Sequence, residues 1–436
     1  MRLGVKNMTD LNLTQEEQFI LTCLRSEFSG EGNNSLPALD LQSMNWDTVY
    51  KKSTEWHIAE LLYKIIKKHP SFLKTGKIPK PFLETMRLKY FMSCLAYDSM
   101  FKSLYEVLEV FHKAGIKVLL LKGSHLAQFV YQDAGVRPMG DIDILVRKED
   151  LSKAENLLLQ MGYENQQENA KAGSHHLHLP YFIHPEGKVY LELHWTITKP
   201  IWKFNIDIEG IWERAKAVKK DGIDMLVFSL EGLLLYLSLH ATYQHHLMTL
   251  GLVPFCDIAA IIHNAASHNQ IPIKKGGEGG CEKTYTKKEV FTQEYYSYCS
   301  EIDWDNLQAR AQEWGIAKYL NLSLYLSHEI FGTSVPDGTI AAFTSEPSGK
   351  KITSEAIKRI LSVDAEKSPF SNVSHLFYDG FHPNNSFIKR TIFVFQRIFI
   401  SPDKLAACYA LPKTSIRIYL YYPVRFVFLF YRFVLY

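Results

Sequence analysis

The chain has 436 residues, of which 47% are hydrophobic and 22% are charged, and its formal net charge is +3. A chain of this length is too long for one compact core, so we expect two or three domains in an ordinary globular protein. The near balance of charge excludes a general affinity for nucleic acid, since any basic surface must then be local.

The cysteines and the N-terminal segment predict a cytoplasmic location. Six cysteines occur without CxxC spacing, which supports neither a zinc site nor a disulfide framework and is typical of reduced thiols. The opening segment MRLGVKNMTDLNLTQEE lacks the apolar core of a secretory signal. No run of about 18 uncharged apolar residues predicts a membrane-spanning helix.

Helical signals dominate the first quarter of the chain. Residues 14–112 show helical periodicity almost throughout, with Trp56 and Leu62 on one face. Gly115 then ends the helix, and the apolar run 118–121 predicts a buried strand.

Strands and helices alternate from this point to about residue 200. Further strands are predicted over 142–146 and 189–195, separated by a helix over 151–161 that Gly162 ends. Because helical signals resume at Leu230, a small α/β unit lies between two helical regions.

We therefore expect four segments along the chain. They are an N-terminal helical domain (1–112), an α/β core (113–228), a C-terminal helical domain with a mobile loop near 270–290 (229–390), and a tail of basic and aromatic residues (391–436). The tail predicts either a helix packed on the protein, a peripheral membrane contact or a contact with an acceptor.

A short internal repeat flanks the α/β unit. Identical spacing over about 17 residues predicts two related helix pairs, the alternative being a convergent packing pattern. The repeated residues are Trp46-Asp47, Glu55-Trp56, Ile58-Ala59 and Leu62 in the first copy, and Trp304-Asp305, Glu313-Trp314, Ile316-Ala317 and Leu320 in the second.

Three carboxylates predict a metal site. Asp141 and Asp143 are two residues apart at a predicted strand, so both point to the same face. Like charges this close repel unless a cation lies between them, and two Mg²⁺ ions are the expected partners, with Glu192 on the later strand as the third ligand. Neutralisation by lysine or arginine would remove this reason for a metal, and a solvated acidic edge is the other alternative.

A glycine turn beside these acids predicts a phosphate site. Gly123 and Ser124 follow a strand and open a helix, where glycine permits close approach of backbone to phosphate and the hydroxyl adds a hydrogen bond. Lys122 and Arg137 are candidates to neutralise charge on the phosphates.

The histidines and a later aspartate are less specific. His194 is either a hydrogen-bond donor behind the carboxylates or a structural histidine. A zinc site is not favoured at the cluster of His175, His176, His178 and His184, and Asp257 is expected to pack or face solvent.

The residue pattern resembles a known family. The block LKGSHLAQFVYQDAGVRPMGDIDILV (121–146), the helix end at Met161-Gly162-Tyr163 and the strand LELHW (191–195) resemble the bacterial uncharacterised nucleotidyltransferase family of the polymerase-beta-like superfamily. The resemblance implies an α+β fold with a small mixed-sheet core flanked by helical domains. It also implies that Gly123 and Ser124 hold the triphosphate, that Asp141 and Asp143 bind metal, and that Glu192 is the third acid.

The predicted function is Mg²⁺-dependent transfer of a nucleoside monophosphate from a nucleoside triphosphate to an acceptor. The acceptor is expected to be a hydroxyl or phosphate on a small molecule or peptide. The alternatives are a phosphoryltransferase on the same fold and a catalytically silent nucleotide-binding module.

Overall fold

The computed structural model describes much of the chain between residues 13 and 361 and a few residues of the tail. These are residues 13–29, 40–69, 73, 77–133, 135–165, 177–187, 189–199, 204–220, 222–245, 247, 250–268, 301–344, 356–358, 360–361, 419–420 and 422–423. The chain divides into two compact units, one of residues 1–244 and 250–361 and the other of 245–249 and 362–436. The helices and strands named here belong to the first unit. The predicted loop near 270–290 and most of the tail 391–436 lie outside the described residues.

Four of the described helices precede the sheet. They are α1 (Gln15–Phe28), α2 (Trp46–Glu55), α3 (Ala59–Lys68) and α4 (Lys80–Lys113). A capping box starts α1, since the Thr14 side chain accepts from Glu17 N and the Glu17 side chain accepts from Thr14 N. After α4 the chain turns at Gly115, whose φ of 75° is left-handed. The predicted helical N-terminal region and its end are confirmed.

The strands form one mixed sheet. They are β1 (Leu119–Leu120), β2 (Ile142–Leu145), β3 (Glu164–Asn165), β4 (Phe182–Ile183), β5 (Tyr190–His194), β6 (Lys216–Lys220) and β7 (Ile223–Val227). Their order is β3-β4-β5-β2-β1-β7-β6. The pairs β2–β5 and β1–β7 are parallel, and the others are antiparallel. The predicted α+β class with a mixed-sheet core between helical regions is confirmed.

The remaining helices connect the strands and follow the sheet. They are α5 (Lys122–His125), which continues as a π-helical turn (Leu126–Val130), a 3₁₀ turn (Lys148–Asp150), α6 (Leu151–Gln160), α7 (Ile208–Arg214), α8 (Leu230–Leu239) with a π-helical turn (His240–Gln244), α9 (Val253–His268), α10 (Trp304–Glu313), α11 (Ala317–Phe331) and α12 (Asp337–Thr344). Among the described helices, none has both the length and the apolar character needed to cross a membrane.

The internal repeat corresponds to two helix pairs of the same local geometry. Trp56 caps α2 and Trp314 caps α10, and each is followed by a left-handed residue, His57 (φ 57°) or Gly315 (φ 73°). Each tryptophan carbonyl accepts a hydrogen bond at 3.2 Å from a backbone N–H far along the chain, that of Leu252 or Asn205. The predicted two helix pairs are confirmed as structure, and their relatedness stays a prediction.

Candidate active site

Strand register brings two of the predicted acids together. In the parallel pair β2–β5, Asp143 lies opposite Glu192 and Leu145 lies opposite His194. Neighbouring residues in register point to the same face of a sheet, and so do residues two apart on one strand. Asp143, Glu192 and His194 therefore converge, and Asp143 is only 2% exposed.

Lysine and histidine donors surround the Asp143 carboxylate. Lys122 Nζ donates to Asp143 Oδ1 at 2.7 Å and lies 4.0 Å from Glu192 Oε2. His194 Nε2 lies 2.9 Å from the same Asp143 oxygen and 3.2 Å from Glu192 Oε2. The sequence predicted that Asp143 binds metal and that Lys122 neutralises the phosphates. In the structure Lys122 neutralises Asp143 itself.

Opposite charges in contact shift the pKa values of Asp143 and Lys122. Burial by itself raises the pKa of Asp143, but Lys122 and a hydrogen bond from His194 outweigh it and hold that pKa well below its usual range. Burial likewise lowers the pKa of Lys122, and the Asp143 carboxylate outweighs it and raises that pKa. Both groups are therefore ionised at neutral pH.

Asp141 lies one residue before β2, in a different environment from Asp143. Burial, followed by the negative charge of Asp143, raises the pKa of Asp141 to about 6. Among the described residues, no hydrogen bond or ion pair holds its carboxylate. A carboxylate close to other acids and without its own cation has a free coordination position.

The predicted phosphate turn is buried and strained. Lys122 has a left-handed φ of 38°, unusual for a residue with a side chain, and Leu121 N donates to Asp143 O at 3.1 Å. A Cβ at Gly123 would lie 2.7 Å from Met139 Cγ and Sδ. The Ser124 hydroxyl is buried, and no hydrogen-bond partner is present among the described residues. An unsatisfied hydroxyl at this turn is consistent with a role in binding an oxyanion.

Arg137 is held beside the turn from the other side. Its Nε donates to Asp257 Oδ1 at 3.3 Å and its Nη2 donates to Asp257 Oδ2 at 3.0 Å, while Tyr131 Oη donates to Oδ1 at 3.0 Å. Arg137 Nη1 would lie 3.5 Å from a Cβ on Gly123. This buried fork fixes the plane of the guanidinium at the glycine turn.

The donor set suits a divalent cation. One ligand atom each from Asp143, Glu192 and His194 lie within 4.8 Å of one another. Carboxylate oxygens are the ligands that Mg²⁺ prefers, and imidazole suits softer divalent ions such as Zn²⁺. Lys122 already supplies a positive charge against Asp143, so charge repulsion between the acids no longer calls for a metal there. The fit to a divalent cation rests on the converging oxygen and nitrogen donors alone.

Three residues of the site carry only weak signals in the sequence. His194 is fully buried against both acids, and its position two residues after Glu192 was the signal for a shared face. His178 Nε2 lies 3.7 Å from Glu192 Oε2, brought there by a bridge to His194 that the sequence does not reveal. Asp257 was expected to pack or face solvent, and its ion pair with Arg137, 120 residues away, has no local signal.

Comparison with known proteins agrees with this geometry. A search of curated proteins and a search of solved structures both returned no match. The family model described as uncharacterised nucleotidyltransferase matches residues 42–275, a range that contains the glycine turn, both aspartates and Glu192. Since the match covers more than half of the chain, the protein belongs to this nucleotidyltransferase family.

Proposed function

We propose that the protein transfers a nucleoside monophosphate from a nucleoside triphosphate to a hydroxyl or phosphate on a small molecule or peptide, with Mg²⁺. The observation that carries the proposal is the register of Asp143 opposite Glu192, beside the turn of Gly123 and Ser124. Two acidic strands and a buried turn with an unsatisfied hydroxyl are the parts that in-line displacement at phosphorus requires.

The metal ligands we propose are Asp141, Asp143 and Glu192, with two ions between them. When bound, these ions neutralise charge on the phosphates and on the oxygens that attack and leave. His194 touches both Asp143 and Glu192, and its role is to orient these carboxylates.

The remaining groups bind and orient the triphosphate. Ser124 donates its hydroxyl to a phosphate oxygen, and Arg137 presents its fixed guanidinium to the same group. Lys122 lies on the strained turn next to Gly123, close to the proposed phosphate site. When another cation compensates Asp143, the Lys122 ammonium would contact the phosphates in place of that carboxylate.

The transfer step exchanges one bond to phosphorus for another. The acceptor oxygen forms a bond to the α-phosphorus while the bond from that phosphorus to the β-bridging oxygen breaks, and pyrophosphate leaves with the electron pair. For a hydroxyl acceptor, the proton passes to the Glu192 carboxylate, which is partly exposed.

We also propose that the chain belongs to the polymerase-beta-like superfamily, that it divides into the four segments given above, that it is cytoplasmic and that its tail makes a peripheral membrane contact. The three described cysteines Cys23, Cys94 and Cys256 are buried thiols, which is compatible with a reducing compartment.

The test is incubation with triphosphates labelled on the α- or the γ-phosphorus, Mg²⁺ and a cell extract. We expect α-label in an acceptor, loss of at least about 10³-fold in rate for Asp143→Asn and Asp141→Asn, and no loss for Asp224→Asn, an exposed acid on β7.

Three results would count against this assignment. Transfer of γ-label in place of α-label would make the protein a phosphoryltransferase. Nucleotide binding without metal-dependent turnover would make it a silent binding module. Full activity in both active-site variants would discard the mechanism.

A further inference from the structure

A second arginine site lies outside the acidic cluster. Arg310, on α10, is only 7% exposed, and its Nε and Nη2 find no hydrogen-bond acceptor within the part of the chain that the structure describes. A buried guanidinium with unpaired N–H groups is costly, because these groups have lost water and gained nothing in exchange.

The unpaired groups face the start of a helix. Arg310 Nη2 lies 3.7 Å from the position of a Cβ on Gly232, in the first turn of α8. The N-terminal turn of a helix carries partial positive charge. Burial lowers the pKa of Arg310, and the positive charge of nearby Arg214 lowers it further. Arg214 Nε is also buried without a partner among the described residues. Arg310 and Arg214 thus lie together near the start of α8, with Glu231 in the same helix turn and Asp207 paired with Arg214.

Nearby acids are already engaged. Asp207 accepts from Arg214 Nη2 and Gly210 N, both at 2.8 Å, and Glu231 accepts from Asp303 N at 3.1 Å. No carboxylate of the described residues forms an ion pair with Arg310, although Glu231, Asp207 and Glu313 each raise its pKa to a smaller extent than burial lowers it.

The first helix pair shows what is missing. Lys52 holds the position that Arg310 holds in the second pair, and each cation lies over the tryptophan four residues later, Nζ at 5.7 Å from the Trp56 ring and Cζ at 5.5 Å from the Trp314 ring. Lys52 is also paired with Glu17 Oε1 at 3.0 Å. The second copy keeps the cation and the ring, but no described residue forms the matching ion pair with Arg310.

We propose that Arg310, Arg214 and the first turn of α8 bind a phosphate group, free or at the end of a small molecule. The Nε–H and Nη2–H bonds of an arginine are parallel and match two oxygens of one oxyanion. A dianionic phosphate offers two negative charges to Arg310, to the unpaired Nε of Arg214 and to the helix end, whereas a carboxylate offers one; Arg214 Nη2 keeps its ion pair with Asp207. The site uses none of the residues assigned to nucleotidyl transfer.

The test is equilibrium dialysis of the full chain against labelled inorganic phosphate in the presence of EDTA. We expect Arg310→Met to weaken phosphate binding at least about tenfold, because the substitution removes a charge-assisted bidentate contact. Lys52→Met, the matched change in the first helix pair, should leave the affinity within about twofold. Arg214→Gln serves as the second variant if Arg310→Met does not fold.

Competition then identifies the source of the group. A phosphate monoester such as glycerol phosphate that competes better than inorganic phosphate indicates the terminal group of a metabolite, and the reverse indicates free phosphate. Equal phosphate binding by wild type, Arg310→Met and Arg214→Gln would overturn the proposal. So would acetate competing as well as phosphate, or no binding by the wild-type protein at millimolar phosphate.

Discussion

The ammonium of Lys122 and the carboxylate of Asp143 form a direct ion pair, 2.7 Å from Nζ to Oδ1, at the centre of the candidate active site. The carboxylate side chain is 3% exposed, so it depends on protein groups for compensation of its charge. Lys122 and His194 provide that compensation in the protein itself.

Removal of Lys122 should destabilise the metal-free protein. Lys122→Met leaves a buried carboxylate with only a histidine partner, and we expect a loss of about 3 kcal/mol in the free energy of unfolding. Urea denaturation in EDTA measures it. The double variant Lys122→Met with Asp143→Asn should recover more than half of the loss, because the unpaired charge is gone.

A surface lysine supplies the control for this prediction. Lys219 pairs with Asp224 at 3.6 Å in an exposed position on the β6–β7 hairpin, so Lys219→Met should cost about 0.5 kcal/mol or less. If Lys122→Met costs no more than Lys219→Met, the ion pair does not compensate Asp143.

Substitution of Gly123 should damage nucleotide binding more than stability. A Cβ there lies 2.7 Å from Met139 Cγ and Sδ, and a methionine side chain yields at a cost of about 1 kcal/mol. The displaced side chain then occupies the turn, and we expect Gly123→Ala to raise the dissociation constant of Mg²⁺-nucleotide about tenfold or more.

The neighbouring Gly140 is the matched control. Apart from Gly140 and its two chain neighbours, no atom of the described residues lies within 4 Å of a Cβ placed there. Gly140→Ala should therefore leave stability within about 0.5 kcal/mol and nucleotide affinity unchanged. Titration of a fluorescent nucleotide analogue measures both affinities. Equal effects of the two substitutions would show that crowding at Gly123 is unimportant.

Asp257 should act on nucleotide affinity through Arg137. Asp257→Asn removes the negative charge that holds the guanidinium, and we expect the nucleotide dissociation constant to rise about tenfold, which corresponds to about 1.4 kcal/mol. Tyr131→Phe removes only the third hydrogen bond to Asp257 and should change that constant less than about threefold. A larger effect of Tyr131→Phe than of Asp257→Asn would show that Arg137 is not positioned this way.

His125 should make the fold sensitive to acid. Burial lowers the pKa of His125 from 6.5 to about 3, so between these values the unfolded chain binds a proton that the folded protein does not. The free energy of unfolding therefore falls as the pH is lowered from 6.5 towards 3, by about 2 kcal/mol at pH 5 from this residue.

A non-titrating side chain should remove that part of the acid sensitivity. Between pH 7.5 and pH 5, the free energy of unfolding of His125→Gln should fall by about 2 kcal/mol less than that of wild type, as measured by urea denaturation. His112→Gln, on the exposed face of α4, is the control. An identical loss in wild type and His125→Gln would exclude this histidine as a source of acid sensitivity.

Local patterns were sufficient for the elements and for much of the site. Alternation of apolar and polar residues placed Asp143 and Glu192 on strands. Gly115 and Gly162 marked helix ends, and both have the left-handed φ of such ends in the structure. Even the paired helices around Trp56 and Trp314 were visible, because a repeated capping geometry needs the same residues at the same spacing.

Partners that are distant in sequence were decided by tertiary structure alone. The register of β2 against β5 brings Asp143 and His194 together across 51 residues, and packing of α9 against the π-helical turn Leu126–Val130 brings Asp257 to Arg137. Strand register and helix docking are set by the burial of whole faces, which no short window contains. For the same reason the sequence predicted a charge beside Asp143 but not that Lys122 would provide it, since that contact requires the strained turn that aims the side chain back at the strand.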